Sequence, residues 1–393
     1  MTETERSGQL QRAAAAGGVE ALVLRLTENV LLATGYYAQV AGTALAVVPA
    51  GGPVSLLVPE HEEAEARSVW SGEVRTFRLG RTDGPPARTA IAERLRELAR
   101  ELGVAGGPIG FEGSFESVAP ASLAGESCAV AAPTRTLIRE TFATDALVDV
   151  TERLEALRAV KTAAEVEKLR TVNEIAAIGM RAFKAHAVPG RTEVEIMAAV
   201  ESAICTGGHG HRGARVVRAY ATVCSGPDLA DGWQYFRSRT RVVERDEPVM
   251  LELGTMADGW WADHTRTVVA GRASAQQRAA YEAVRHAGDA ALASAVPGAS
   301  GGAVDAAARA ACAEAGFTQF PHHTGHGVGF SWHESRPQLV PGSKHELASG
   351  MVVVAEPGVY ERGLLGGFRH EDDAVVGPAG AAPLVTTDFE LEL

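Results

Sequence analysis

The sequence predicts two domains: a smaller α/β domain over residues 1–150 and a larger α+β domain over residues 151–393. Three observations support this division. A chain of 393 residues is longer than most single domains. In its first part, short strand-like runs alternate with helical patterns, as in α/β domains. In the remainder, capped amphipathic helices alternate with segments typical of antiparallel hairpins.

The elements of the first domain follow from apolar runs and the turns between them. Val19–Leu26 is apolar, and Ala44–Val48 and Val54–Val58 flank a turn rich in proline and glycine. Ala87–Gly103 has apolar residues at helical spacing, and Pro108–Phe111 is a further short apolar run. We therefore expect strands at the short runs and a helix at the longer segment.

The second domain begins with stronger local signals. Thr162 and Glu165 form a capping box, in which the threonine hydroxyl accepts from the backbone N–H of Glu165 and the glutamate reaches back. Apolar residues then recur on one face, which predicts a helix to about His186. The same pattern at Thr192 and at Ser274 predicts two more helices.

A hairpin in this domain carries two carboxylates. Two strand-like runs, Val249–Leu253 and Trp260–Ala270, are joined by a turn, which we centre at Ala257-Asp258. Glu252 and Asp263 then lie directly opposite each other, with Cβ atoms roughly 4.5–5.5 Å apart. Two carboxylates this close require a proton, an arginine or cations between them. A solvent-facing Glu252 is the alternative, and it leaves a carboxylate unexplained within an apolar strand.

Three later segments add further potential metal ligands. Residues 321–334 contain four histidines among glycines that let the backbone approach an ion closely. A glutamate ends the apolar run Val352–Ala355, and another follows a glycine-rich turn. The alternative is a loop that is histidine-rich without a metal function. With the hairpin carboxylates, the candidate metal set is Glu252, Asp263, His326, Glu356 and Glu371.

The composition of this set indicates the metal. Four carboxylates and one imidazole suit Mn²⁺, Co²⁺, Fe²⁺ or Zn²⁺, and the majority of oxygen ligands favours Mn²⁺. Four negative charges offset two dications. Two such ions roughly 3.5–4 Å apart can hold a hydroxide between them and polarise a carbonyl oxygen.

Composition and charge exclude several other classes of protein. The net charge of −12 argues against binding to nucleic acid, which requires a basic face. We find neither a secretory signal nor an apolar run of the roughly 20 residues that span a membrane. The cysteines are widely spaced and lack a CxxC motif, which favours reduced thiols in a cytoplasmic protein. They are Cys128, Cys205, Cys224 and Cys312.

The ligand-bearing segments resemble the signature of the pita-bread metallohydrolases, which include methionine aminopeptidase, aminopeptidase P, prolidase and creatinase. The matching motifs are Ala262–Thr267, Thr324–Gly329 with His333-Glu334, Glu356–Tyr360 and Arg369–Asp372. Segments 27–35 and 158–167 are similar to the N-terminal domain and linker of the two-domain members. The resemblance implies a pita-bread domain at 151–393, preceded by a creatinase-type α/β domain.

The resemblance also implies roles for individual residues. Asp263, His326, Glu356 and Glu371 match metal ligands, and Glu252 stands where the peptidases usually have aspartate. Glu356 would also act as the general base toward the attacking water. Two histidines match residues that contact substrate or stabilise the tetrahedral intermediate, and an arginine matches a site arginine. These three are His322, His333 and Arg369. No family role matches His323.

Two departures from the peptidase pattern bear on the substrate. Glu252 is one methylene longer than aspartate, and Trp233 stands where aminopeptidase P and prolidase carry a histidine over the S1′ region. Tryptophan there removes a proton donor and fills space.

The resemblance therefore favours one function and leaves two others open. The first is hydrolysis of an Xaa-Pro amide in a small peptide, as an aminopeptidase or dipeptidase. The second is creatinase-like or lyase chemistry on a small non-peptide metabolite. The third is a binding module without catalysis, which the retention of all five ligand-type side chains argues against. The resemblance also implies a homodimer.

Overall fold

The computed structural model describes residues 3–40, 42–79, 84–113, 132–231, 237–317, 321–387 and 390–393. The chain divides into two compact units, one ending at Arg158 and the other extending from Ala159 to Leu393. Among the helices described, none is both long and apolar enough to cross a membrane.

A mixed six-stranded sheet with flanking helices forms the N-terminal unit. Its strands are β1 (Ala21–Leu24), β2 (Leu45–Pro49), β3 (Ser55–Pro59), β4 (Glu73–Phe77), β5 (Ile109–Phe111) and β6 (Leu147–Asp149). The strand order is β4-β3-β2-β1-β5-β6, with β1 antiparallel to β2 and parallel to β5. The helices are α1 (Glu3–Ala16), α2 (Thr27–Thr34), α3 (Glu63–Val69), α4 (Ala87–Glu101), α5 (Ala132–Phe142) and α6 (Thr151–Ala159). The predicted α/β class is confirmed.

A buried carboxylate binds the backbone that leads into helix α2. Leu26, the residue before the helix, offers no side-chain cap. Glu112 instead accepts from the backbone N–H groups of Arg25 and Leu26 and, at 2.8 Å, from the Asn29 side chain. Arg158 donates to the side-chain oxygen Oδ1 of Asn29. Burial raises the pKa of Glu112 to about 8 despite these bonds. Asn29 and Arg158, which stand in the motifs similar to the family's N-terminal domain and linker, are thus partners in one buried network.

The C-terminal unit combines three small sheets with four long helices among its described residues. Its strands are β7 (Val217–Ser225), β8 (Pro248–Ala257), β9 (Trp260–Val269), β10 (Gly325–Gly327), β11 (Glu334–Leu339), β12 (Val352–Ala355), β13 (Gly358–Glu361), β14 (Gly366–Arg369), β15 (Asp372–Gly377) and β16 (Gly380–Pro383). The sheets are β7-β8-β9, β11-β10-β12-β15-β16 and the pair β13-β14. The helices are α7 (Ala163–His186), α8 (Glu193–Gly208), α9 (Ala275–Ser294) and α10 (Gly301–Glu314).

The helices begin where the sequence predicts. Thr162, Thr192 and Ser274 each accept from the backbone N–H three residues later, and the reciprocal side-chain bond is present in all three. Helix α7 packs against α8 and against strands β8 and β9, and α9 packs against α10. Helices next to antiparallel strands give the predicted α+β class.

The register of the β8–β9 hairpin differs from the prediction. Asp258 and Gly259 form a two-residue turn, and both have positive φ, at 49° and 88°. Glu252 therefore pairs with Thr265, and Asp263 pairs with Gly254. The predicted direct pairing of Glu252 with Asp263 is wrong by two residues. Since side chains alternate between the faces of a strand, a shift of two keeps both carboxylates on one face, with Thr265 beside them.

Candidate metal centre

The five predicted ligands come from four parts of the C-terminal unit and meet in its interior. Glu252 and Asp263 lie on one face of the β8–β9 hairpin, and His326 lies in β10. Glu356 follows β12 directly, and Glu371 stands between β14 and β15, where its backbone N–H donates to the carbonyl of Thr265. All five are buried, with at most 9% of each residue exposed.

Their ligand atoms form three overlapping groups, and within each group all atoms lie within 4.8 Å of one another. The groups are Glu252 with Asp263 and Glu371, His326 with Glu356 and Glu371, and Asp263 with His326 and His333. His326 Nε2 is 3.5 Å from Asp263 Oδ2 and 3.6 Å from Glu356 Oε1. Each separation leaves room for a cation that contacts both atoms of the pair, because metal–ligand bonds are about 2.0–2.2 Å long.

The unpartnered atoms of the cluster provide a direct test of whether a cation fits. Both carboxylate oxygens of Asp263, Nε2 of His326 and Oε1 of Glu371 are buried without a hydrogen-bond partner. A buried ionised group without a partner is strongly unfavourable. The residues present therefore fit a divalent cation, which would satisfy these atoms.

Glu252 differs from Asp263 because one of its carboxylate oxygens already has partners. Its Oε2 is paired with the guanidinium of Arg369 and accepts at 2.6 Å from the Thr265 hydroxyl. The same hydroxyl lies 2.7 Å from Oε2 of Glu371, and Arg369 Nε donates to it at 3.1 Å. Thr265 thus links Glu252 and Glu371 across the centre.

The pKa shifts follow the distribution of charge in the cluster. Burial and the charges of Glu252 and Glu356 raise the pKa of Asp263 well above its usual value. Burial and the repulsion from Asp263 do the same to the pKa of Glu371. Burial would also raise the pKa of Glu356, but His323 and Arg369 outweigh it and lower that pKa. Glu356 is thus ionised at neutral pH, whereas a bound cation would favour the ionised forms of Asp263 and Glu371.

Hydrogen bonds fix the tautomers of two histidines. Nδ1 of His326 lies 2.9 Å from the Gly327 carbonyl, so it carries the proton and Nε2 presents a lone pair to the cluster. Burial lowers its pKa to about 4, which keeps the ring neutral, as a metal ligand must be. Nδ1 of His322 likewise faces the His323 carbonyl at 2.7 Å, so its Nε2 accepts from the Tyr360 hydroxyl at 2.8 Å.

A column of aromatic rings supports the last histidine of the loop. Trp332 stacks on His333 with ring centroids 5.6 Å apart, and on Trp261 at 5.8 Å. Tyr220 stacks on Trp261 at 5.5 Å. A Cβ added to Gly254 would lie 2.6 Å from the Trp332 indole, so the missing side chain makes room for this ring. The column holds His333 beside Asp263.

Three residues of the centre make contacts that the sequence did not predict. Thr265 bridges two ligands, Tyr360 donates to His322, and Nδ1 of His323 lies 3.1 Å from Oε1 of Glu356. Burial would lower the pKa of His323, but the adjacent Glu356 raises it. A sequence signal existed only for Thr265, which is two residues from Asp263 and therefore on the same face of β9. Trp233, the predicted pocket residue, lies outside the described residues.

The fold and the ligand cluster define a metal-binding protein of the pita-bread class. Residues 167–378 match metallopeptidase family M24, and residues 6–160 match the creatinase/prolidase N-terminal domain. The chain belongs to metallopeptidase family M24.

Two curated relatives illustrate the similarity in sequence. The probable dipeptidase PepE of Mycobacterium tuberculosis (strain H37Rv) is 36% identical over 248 residues, which are 61% of this chain and 62% of the relative. An Xaa-Pro dipeptidase of Lactobacillus helveticus is 33% identical over 250 residues, 62% of this chain and 65% of the relative. The chain thus matches somewhat less than two thirds of the length of these relatives.

Solved structures extend the similarity over nearly the whole chain. Dipeptidase PepE from Mycobacterium ulcerans is 28% identical with a TM-score of 0.74, covering 99% of this chain and 97% of that one. An Xaa-Pro dipeptidase from Bacillus anthracis has a TM-score of 0.80 at 24% identity, covering 100% and 99%. The N-terminal domain of FACT complex subunit SPT16 from chickpea has a TM-score of 0.70 at 15% identity, covering 98% and 96%. The last two likenesses concern the fold alone.

Proposed function

We propose that this chain is a metal-dependent peptidase that cleaves the amide bond before proline in small peptides, as an Xaa-Pro dipeptidase or aminopeptidase. The observation that carries the proposal is the buried cluster in which Asp263, His326 and Glu371 present unpartnered ligand atoms to one another. Relatives named Xaa-Pro dipeptidase or dipeptidase support the substrate class. The fold by itself does not, since it is also that of the SPT16 domain.

We propose that two divalent ions bind here, with Mn²⁺ favoured by the oxygen-rich ligands. Asp263, Glu371 and Glu252 would hold one ion, and His326, Glu356 and Glu371 would hold the other. Two of the observed groups share Glu371, as expected for a carboxylate that contacts both ions. Bound there, the ions would supply Lewis-acid activation of water and of the peptide carbonyl.

The proton steps are assigned to this chain's own residues. Glu356 has a lowered pKa and is ionised, so it can accept a proton from the attacking water and deliver it to the leaving nitrogen. For the developing oxyanion we propose His333, whose Nδ1 is buried without a partner. Nε2 of His322 accepts from Tyr360, so in this tautomer that nitrogen has no proton to donate. Arg369 pairs with Glu252 and lowers its pKa, although burial raises that pKa overall.

The remaining parts of the proposal rest on sequence. A homodimer follows from the resemblance, and a cytoplasmic location from the widely spaced cysteines. We also retain the division into an N-terminal domain at 1–150 and a catalytic domain at 151–393. Light scattering of the purified full chain tests the dimer.

The central experiment combines metal analysis with a peptide panel. The full chain is stripped of metal, reloaded with Mn²⁺, and assayed with Xaa-Pro dipeptides and with longer peptides that have proline second. Asp263→Asn should lose metal and activity together, because it removes a charge shared by two ligand groups. Asp289→Asn, an exposed aspartate on α9, is the matched control. Full activity of Asp263→Asn would contradict the site assignment.

The two sequence departures support a second candidate, a creatinase-like or lyase-type reaction on a small non-peptide metabolite. Glu252 and Trp233 differ from the peptidase pattern at the metal set and at the S1′ region. If the loaded protein binds metal but cleaves no Xaa-Pro peptide, this second candidate replaces the first. A panel of amidino, sulfonium and cyclic amino-acid compounds then identifies the substrate class.

A further inference from the structure

His323 contacts the centre although no family role matches it. Its Nδ1 lies 3.1 Å from Oε1 of Glu356, and that nitrogen is buried without a hydrogen-bond partner elsewhere in the described chain. About 14% of the side chain is exposed, so the contact lies at the edge of the cluster and not in a sealed core. Within the described part of the chain, the ion-pair partner of this nitrogen is the carboxylate of Glu356.

His323 contacts one carboxylate oxygen of Glu356, and the guanidinium of Arg369 lies near the other oxygen. Arg369 Nη1 lies 3.8 Å from Oε2 of Glu356, the oxygen that His323 does not contact. His326 Nε2 lies 3.6 Å from Oε1, the same oxygen that His323 contacts. Rotation of the carboxylate would break the contacts with both His323 and Arg369, so the two groups define its orientation toward His326.

The position of His323 in the chain makes this contact firm. Its backbone carbonyl accepts from Nδ1 of His322, and the backbone N–H of Glu356 donates to the carbonyl of Thr324 at 2.7 Å. The segment that carries His323 is thus bonded to the backbone of the residue that its side chain contacts. Groups that orient metal ligands in this way affect metal affinity by about 10- to 100-fold when they are removed.

We propose that His323 is a positioning residue that holds Glu356 as a metal-facing carboxylate through its Nδ1. The inference rests on the metal site of the proposed function, and it does not depend on which substrate is cleaved. It assigns a role to the second histidine of the His322-His323 pair, which sequence comparison leaves without one. The role belongs to Nδ1 specifically, because that is the nitrogen in contact.

The test is a series of three variants of the full chain, with Co²⁺ alone as the probe. His323→Asn keeps a donor near the position of Nδ1, His323→Gln places one near Nε2, and His323→Leu has none. The Leu and Gln variants should bind Co²⁺ about 10- to 100-fold more weakly and show an altered visible absorption spectrum. The Asn variant should keep wild-type affinity and spectrum. His286→Leu, at an exposed position on α9, is the matched control.

The outcomes separate this inference from the proposed function. Wild-type affinity and spectrum in His323→Leu, or rescue by Gln and not by Asn, would overturn the role of Nδ1. If the variant series behaves as expected while the loaded wild type cleaves no Xaa-Pro peptide, the proposed substrate fails and the positioning role stands. Circular dichroism of each variant verifies that a loss of affinity is not a loss of folding.

Discussion

Removal of one partner from a buried ion pair should destabilise the C-terminal unit by a measurable amount. Lys161 Nζ lies 2.6 Å from Oε2 of Glu334, and the two side chains are 0% and 4% exposed. Glu334 Oε1 also accepts from the backbone N–H of Phe330. The Lys161–Glu334 pair therefore stabilises the loop that carries His333. Lys161→Met leaves the Glu334 charge buried without its partner, which typically costs about 3–5 kcal/mol.

For a unit of this size, each kcal/mol lowers Tm by about 2–4 °C, so the expected decrease is about 6–20 °C. Intrinsic fluorescence in a thermal or urea series follows this unit through the buried Trp260, Trp261 and Trp332, whereas Trp70 reports on the N-terminal unit. The double variant Lys161→Met with Glu334→Leu should recover much of the loss, since an apolar pair leaves no unpaired charge.

A decrease below about 1 kcal/mol in Lys161→Met would refute the reasoning, because that is the range of exposed ion pairs. The exposed pair of Arg67 with Glu63, one helical turn apart, provides the comparison. Its disruption by Arg67→Met should change stability by only about 0.3–0.5 kcal/mol. Equal effects at the two places would mean that burial does not determine the cost.

Three further predictions concern single positions. The pKa of Glu112 is raised to about 8 in the folded protein. Its protonated form therefore stabilises the fold fully below the pKa of the unfolded chain, and this stabilisation is lost as pH rises through 8. Glu112→Gln should remove the resulting decline in the free energy of unfolding between pH 5 and 9. Gly254→Ala should displace Trp332 and lower Tm, with a shift in tryptophan emission; an unchanged spectrum would contradict the close packing. Thr265→Val should weaken Mn²⁺ binding by about 10- to 100-fold in calorimetry, because it removes the hydroxyl between Glu252 and Glu371; unchanged affinity would exclude that role.

Local signals explain which parts of the structure could be predicted. The capping boxes at Thr162, Thr192 and Ser274 are complete within four residues, so the sequence contains all that sets these helix starts. The hairpin register failed for an equally local reason. The Asp258-Gly259 pair favours positive φ at both positions and sets the turn, whereas the prediction took the middle of a longer turn segment.

Contacts between distant segments could not be predicted from local patterns. Thr265 and Glu371 are 106 residues apart in sequence, and Glu252 and Arg369 are 117 apart. Their meeting depends on how the β8–β9 hairpin and the β14–β15 segment pack, which no window of sequence encodes. The contact of His323 with Glu356 has the same origin. Resemblance to a family supplied the ligand set, but not these supporting contacts.

The alternation of side chains along β9 limits which changes of sequence this strand can tolerate. Asp263 and Thr265 lie on the face of the metal centre, while His264 and Arg266 belong to the opposite face, where Arg266 contacts Asp372 and Thr387. Replacing one side chain alters one face only. Deleting a single residue between Trp260 and Asp263 would exchange the faces, turning Asp263 and Thr265 away and placing Arg266 at the position of Thr265. We therefore expect this strand to tolerate substitution of one side chain better than a change in its length.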